Sequence, residues 1–201
     1  VGLATALAGC LYQERVEELS GPTMGSTYSV KYVAASDAAP KKQLLVEIES
    51  LLERFDRQLS TYRADSDISV FNALPAGQCM PMPDSARELV LAGQQLSQES
   101  DGALDLTIGP LLDLWGFGPQ GRREQMPSAE EVAKVRQSVG HQHVRVEDEQ
   151  LCKDAAVQID FNSIAAGYAV DLVAQRLEAL GVESYLVEIT GELKAKGRKP
   201  G

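Results

Sequence analysis

The chain predicts an α+β fold: mixed helices and strands in a single domain. Three observations say so. Apolar stripes at helical spacing stand beside short alternating runs of strand type. Helices and strands follow one another without the regular strand–helix–strand beat of a parallel sheet, and no dinucleotide fingerprint marks a Rossmann fold. No Pro/Gly/Ser-rich linker, repeat or low-complexity tract divides the 201 residues, which suit one sizeable domain.

The elements follow in order. Thr27 to Val33 alternates as a strand, entered through the tight loop Gly21-Pro22-Thr23-Met24-Gly25-Ser26. Pro40 opens a strong helix with Leu44, Ile48, Leu51, Leu52, Phe55 and Leu59 on one stripe, and Ser60-Thr61-Tyr62-Arg63 leaves it. Ser66 caps a short helical turn through Ile68 and Phe71, and Asp84 caps another helix through Leu89, Val90 and Leu96. Asp105 and Thr107 sit on one face of a strand that Gly109-Pro110 breaks, Pro being well placed to begin a short helix. Ser128 with Glu131 forms a capping box. Val144 to Val146 and Val157 to Ile159 read as strands. Asn162 or Ser163 caps a helix from Ile164 to Leu180 that Gly181 closes. Tyr185 to Ile189 is a further strand, and Leu193 to Lys196 starts another.

Composition excludes some functions. The net charge is −10 and no Lys/Arg run exceeds a pair, which argues against a nucleic-acid surface. A phosphate-bearing ligand would rely on backbone N–H groups or a divalent metal. Val1 to Cys10 is an apolar, small-residue run ending Leu-Ala-Gly-Cys. It resembles the tail of a lipoprotein signal peptide, with Cys10 as the lipidated residue. The expected organisation is therefore a signal remnant over 1–10 and one domain over 20–201. An oxidising compartment would leave Cys79 and Cys152 as a possible disulfide.

Several segments carry chemistry. Residues 102–119 read GALDLTIGPLLDLWGFGP and hold Trp115, the one tryptophan, in a chain with 5% aromatics. A polar pair beside a glycine-flanked aromatic loop suits a flat ligand with a polar rim, such as a nucleotide or flavin; a core strand with a tight turn fits it too. Residues 157–171 read VQIDFNSIAAGYAVD. There Asp160 ends a strand ahead of a helix N-terminus suited to an anion, and Gly167 permits close approach of a ligand or another helix. Met24 can pack on a flat ring or fill core. Tyr62 and Arg63 offer an aromatic and a cation beside a polar loop. His141 and His143 have no partner at metal-ligand spacing and read as surface or structural. No nucleophile elbow or P-loop is present.

Together, GPTMGSTYSV, LSTYRADSDISVFN, GALDLTIGPLLDLWGFGP, IDFNSIAAGYAVD and YLVEITGEL stand in an order that resembles the FAD:protein FMN transferases, the ApbE-type proteins, over about residues 20 to 197. The resemblance implies an enzyme that cleaves FAD with Mg²⁺, releases AMP and passes FMN to a Ser or Thr hydroxyl of a target flavoprotein, such as a respiratory redox-pump subunit. It implies a lipid anchor on the periplasmic face of a bacterial inner membrane, although Leu11 after Cys10 is not the Asp that favours inner-membrane retention. By position, Met24, Tyr62, Ala103, Leu104, Asp105, Asp160 and residue 166 would contact FAD, and Ser163 would ligate the metal. The chain departs from the pattern at Ala166, often Lys or Glu in the family, and at Thr190, where a second glycine usually precedes Gly191. The family also continues past Gly201 with an Asp and a Thr for the metal, so the C-terminal part of the fold is expected to be missing here. The alternative is a periplasmic flavin-binding module, or a fragment without transfer activity.

Overall fold

A computed structural model describes residues 14–36, 38–119, 121–122 and 124–200. Cys10 and the signal-peptide reading lie outside these residues. Among the described residues there are two antiparallel sheets and six α-helices, and both sheets and four of the helices contribute to one core. The larger sheet runs β1-β2-β6-β7, from β1 (Arg15–Thr23), β2 (Ser26–Ala34), β6 (Tyr185–Ile189) and β7 (Glu192–Lys196). In the smaller sheet β5 (Gln150–Lys153) lies between β3 (Gln78–Pro81) and β4 (Val144–Glu147).

Strand periodicity decides which face of the larger sheet is buried. Tyr28, Val30 and Tyr32 of β2 pair across with Ile189, Val187 and Tyr185 of β6, and all six are buried. Helix α1 (Lys41–Leu59) contributes Leu44, Ile48, Leu52, Phe55 and Leu59 to the same core, and α6 (Ala165–Ala179) contributes Ala169, Val173 and Leu177. Each fully buried aliphatic side chain adds about 1.5–3 kcal/mol of transfer free energy. The expected stripe of the first helix is thus the stripe that packs, apart from Leu51, which is only partly buried. Helix α2 (Asp67–Ala73) starts at Ser66, whose hydroxyl accepts from Ser69 N–H at 3.1 Å. The capping box of Ser128 and Glu131 opens α5 (Ala129–Arg136). Gly181, at φ +81°, follows the end of α6.

Several expectations need correction. The loop at Gly21 is in fact the end of β1, an edge strand in which only Leu19 is buried, so a polar pattern hid it. Strands β3 and β5, of four residues each, were too short to show a period. Helix α3 (Asp84–Glu99) has Pro83 at its cap position, and Asp84 is its first residue. Asp105 and Thr107 do not lie on a strand. The Asp105 carboxylate instead accepts from Thr107 N–H and Oγ1, each at 2.7 Å, folding a tight turn before α4 (Gly109–Trp115). Val157 to Ile159 is not a strand either. Val157 and Ile159 are buried, which mimics strand alternation, but a single bridge from Gln158 to Ile108 replaces a ladder. Ile164 holds the cap position of α6 without a side-chain bond, so neither Asn162 nor Ser163 caps it.

Candidate functional site

Four elements meet around an open cavity of about 710 Å³. The β1–β2 turn brings Met24, Gly25 and Ser26. The last turn of α1 and the residues after it bring Phe55, Asp56, Leu59, Ser60, Tyr62 and Arg63. The start of α6 brings Asn162, Ala165 and Ala166, and the β6–β7 turn brings Thr190. A volume of this order suits a small organic ligand.

The two turns are alike. Met24-Gly25 joins the Thr23–Ser26 pair with φ of +48° and +71°. Thr190-Gly191 joins the Ile189–Glu192 pair with φ of +53° and +102°. Positive φ at both central residues is the pattern of a type I′ turn, which Asn-Gly makes with least strain. Here a Met and a β-branched Thr occupy the strained first position, and both face the cavity. Strain of this kind persists where the surrounding structure over-determines it, and such places cluster at binding sites.

The wall opposite is ring and cation. Phe55 stacks on Tyr168 with ring centres 5.9 Å apart. The Tyr62 ring is 62% exposed, and its hydroxyl donates to the Phe117 carbonyl at 3.2 Å, tying the Trp-Gly-Phe-Gly loop to the cavity mouth. Arg63 lies within 3.3–3.4 Å of Glu53, Asp56 and Asp65, and the hydrogen bonds it donates to Asp65 and Asp56 hold its pKa above the ordinary value.

Asp160 belongs to a neighbouring cavity of about 240 Å³, with Thr61, Asn72, Asp113 and Gln158. Its carboxylate is buried and already bonded: Oδ1 accepts from Asn162 N–H at 2.8 Å, and Oδ2 from Asn162 Nδ2 at 3.0 Å and Thr61 Oγ1 at 3.3 Å. Desolvation pushes its pKa up, partly offset by the Asn162 and Thr61 hydrogen bonds. Thr61 adjoins Tyr62, so the two cavities share a wall.

The structure therefore brings Met24, Tyr62 and Ala166 together, with Asp160 behind them. It does not bring Ala103, Leu104 or Asp105 to the larger cavity. Asp105 is engaged by Thr107 and by His141 N–H, which donates to Oδ2 at 2.9 Å. Ser163 is exposed at the start of α6, and Gly167 faces open space. Phe55, Asp56 and Leu59 were absent from the expected site because the helical stripe assigned Phe55 and Leu59 to the core. Their place in the last turn before Ser60 was the available signal. Cys79 and Cys152 form a disulfide between paired positions of β3 and β5, and His143 Nδ1 lies 2.7 Å from Asp154.

Fold and cavity together define an α+β domain with a ring-walled opening. The ApbE family profile matches residues 24–201. A FAD:protein FMN transferase of Vibrio cholerae is 41% identical over 192 residues, 95% of this chain and 58% of that protein. One of Haemophilus influenzae is 38% identical, across 98% of this chain and 59% of that protein. A crystal structure of the Pseudomonas stutzeri flavinyl transferase ApbE, in its apo form, superposes with a TM-score of 0.89 at 64% identity, covering 94% of this chain and 61% of that one. The Vibrio cholerae flavin transferase ApbE superposes at 0.90 with 40% identity. The chain belongs to the ApbE family. It spans somewhat under two thirds of the length of these relatives.

Proposed function

We propose that the protein from which this chain comes is a FAD:protein FMN transferase, and that the larger cavity receives the flavin. The observation that carries the reading is the convergence of Met24, Tyr62 and Ala166 on one open cavity. A soft thioether and an exposed ring can cover the two faces of a flat tricycle. Alanine at 166 leaves room at the positive end of α6, where an anion is favoured. In the reaction, a Ser or Thr hydroxyl oxygen of the acceptor bonds to the FMN-side phosphorus of FAD. The phosphoanhydride bond breaks, AMP leaves with the bridging oxygen, and the hydroxyl proton passes to solvent.

Magnesium belongs to this reading through the resemblance. Ser163 offers one neutral oxygen, whereas Mg²⁺ seeks six oxygens, commonly with one or two carboxylates. Among the described residues, the one trio of His, Cys or acidic groups close enough for a metal is Cys79, Glu147 and Cys152, and both its sulfurs are in the disulfide. These residues alone do not make a magnesium site. The acceptor is a flavoprotein with a Ser/Thr site, and the anchor is a lipid on Cys10 facing the periplasm. Among the described residues no helix is long and apolar enough to cross a membrane.

The test is to incubate the full-length gene product with FAD, Mg²⁺ and an acceptor, and to follow the acceptor mass and AMP. Flavinylation that vanishes with EDTA and returns with Mg²⁺ is expected. FAD hydrolysis without a modified acceptor overturns the transferase reading. Palmitate labelling that survives Cys10→Ala overturns the anchor.

A further inference from the structure

We propose that Asn72 and Lys153 are positioning residues for Asp160: together they clamp the backbone of residues 157–160, which no sheet holds. The inference rests on the reading that Asp160 contacts FAD.

Buried backbone groups must find partners, and this stretch has no ladder to supply them. Its own strand-like contacts are the bridge to Ile108 and a bond from Asp160 N–H to Leu106 O at 2.7 Å. Side chains do the rest. The Asn72 amide acts as a strand edge would: Nδ2 donates to Ile159 O and Oδ1 accepts from Ile159 N–H, both at 2.8 Å. Lys153 Nζ donates to Asn72 O at 2.8 Å and to Val157 O at 3.2 Å. One ammonium thus joins the residue that makes the clamp to the segment being clamped.

Lys153 is 1% exposed, its Nζ lies 5.3 Å from the centre of the Phe71 ring, and no carboxylate pairs with it among the described residues. Burying an ammonium against carbonyls and a ring is costly, and desolvation lowers its pKa accordingly. A methionine of similar length would pack there more cheaply, but could not hold two carbonyls. The geometry also couples two parts of the site. Helix α2 carries Asn72, and its cap Ser66 donates to Ser60 O at 2.7 Å, in the loop bearing Thr61 and Tyr62. Thr61 in turn donates to Asp160. The clamp therefore sets where Asp160 stands relative to the wall shared by the two cavities.

The test uses the full-length gene product, with FAD affinity from fluorescence quenching, kcat and KM for FMN transfer, and exchange of the Ile159 amide. Lys153→Met and Asn72→Ala should each weaken FAD binding roughly tenfold and raise KM at a temperature well below melting, with faster Ile159 exchange. Leu151→Ala, a cavity in the core of β5, is the control for destabilisation alone. Equal loss of FAD affinity in Leu151→Ala overturns the proposal, as does unchanged affinity in both clamp variants while Asp160→Asn weakens binding. If Asp160→Asn itself binds FAD like the parent, the reading of the site fails first and the clamp with it.

Discussion

Met24 and Thr190 occupy equivalent places in two hairpin turns, and each holds a left-handed backbone that its side chain disfavours. Relief of such strain is worth about 1–2 kcal/mol, against about 0.5–1 kcal/mol for the extra unfolded-state freedom of glycine. Thr190→Gly should therefore raise the urea unfolding free energy by about 0.5–1 kcal/mol. Met24→Asn should stabilise by a similar amount, because Asn tolerates this conformation, yet weaken FAD binding by removing the thioether. A Met24→Asn protein that is both more stable and unimpaired in binding would show that Met24 fills space and nothing more. Asp160 gives a pH signature. Burial raises its pKa from 3.8, so its contribution to stability is fully present below that value and is lost as pH rises through the folded value. Asp160→Asn should flatten the melting temperature against pH as pH rises from 3.8, relative to the parent. Asp171→Asn, at an exposed ion pair with Lys194, should not.

At the scale of elements, the helices were legible and the short strands were not. The stripe from Leu44 to Leu59 repeats over about four turns, and Ser66 and Ser128 announce their helices by capping chemistry. By contrast β1 buries one residue, and residues 157–160 look like a strand because Val157 and Ile159 are buried, although side chains replace the ladder. Motif order named the candidate residues of the site. It could not reveal that Asp105 spends its carboxylate on a turn while Met24 and Tyr62 share a cavity, since that depends on how the elements pack. The disulfide is an element-scale prediction. It closes a separation of 73 residues between β3 and β5, and β5 ends in Lys153. Cys79→Ser with Cys152→Ser should cost about 2–4 kcal/mol in urea unfolding.

At the scale of the whole molecule, the acidic balance would oppose an anionic ligand such as the proposed FAD. A chain of net charge −10 would repel the pyrophosphate of the proposed substrate at long range, while Arg63 and the start of α6 would attract it within the cavity. Ionic strength separates the two effects. The screening length is about 30 Å at 0.01 M salt, so the whole charge is felt, and about 8 Å at 0.15 M, so only nearby groups count. Arg63 is already shared among Glu53, Asp56 and Asp65, which blunts the local attraction. The long-range repulsion should therefore dominate the approach. FAD association, followed by stopped-flow fluorescence quenching without divalent ions, should quicken several-fold between 0.01 and 0.15 M NaCl. Arg63→Gln should slow association at both concentrations and leave that rise in place. A rate that falls with salt would mean that a cationic path to the cavity outweighs the net charge, and the site's electrostatics would have to be read from Arg63 outward.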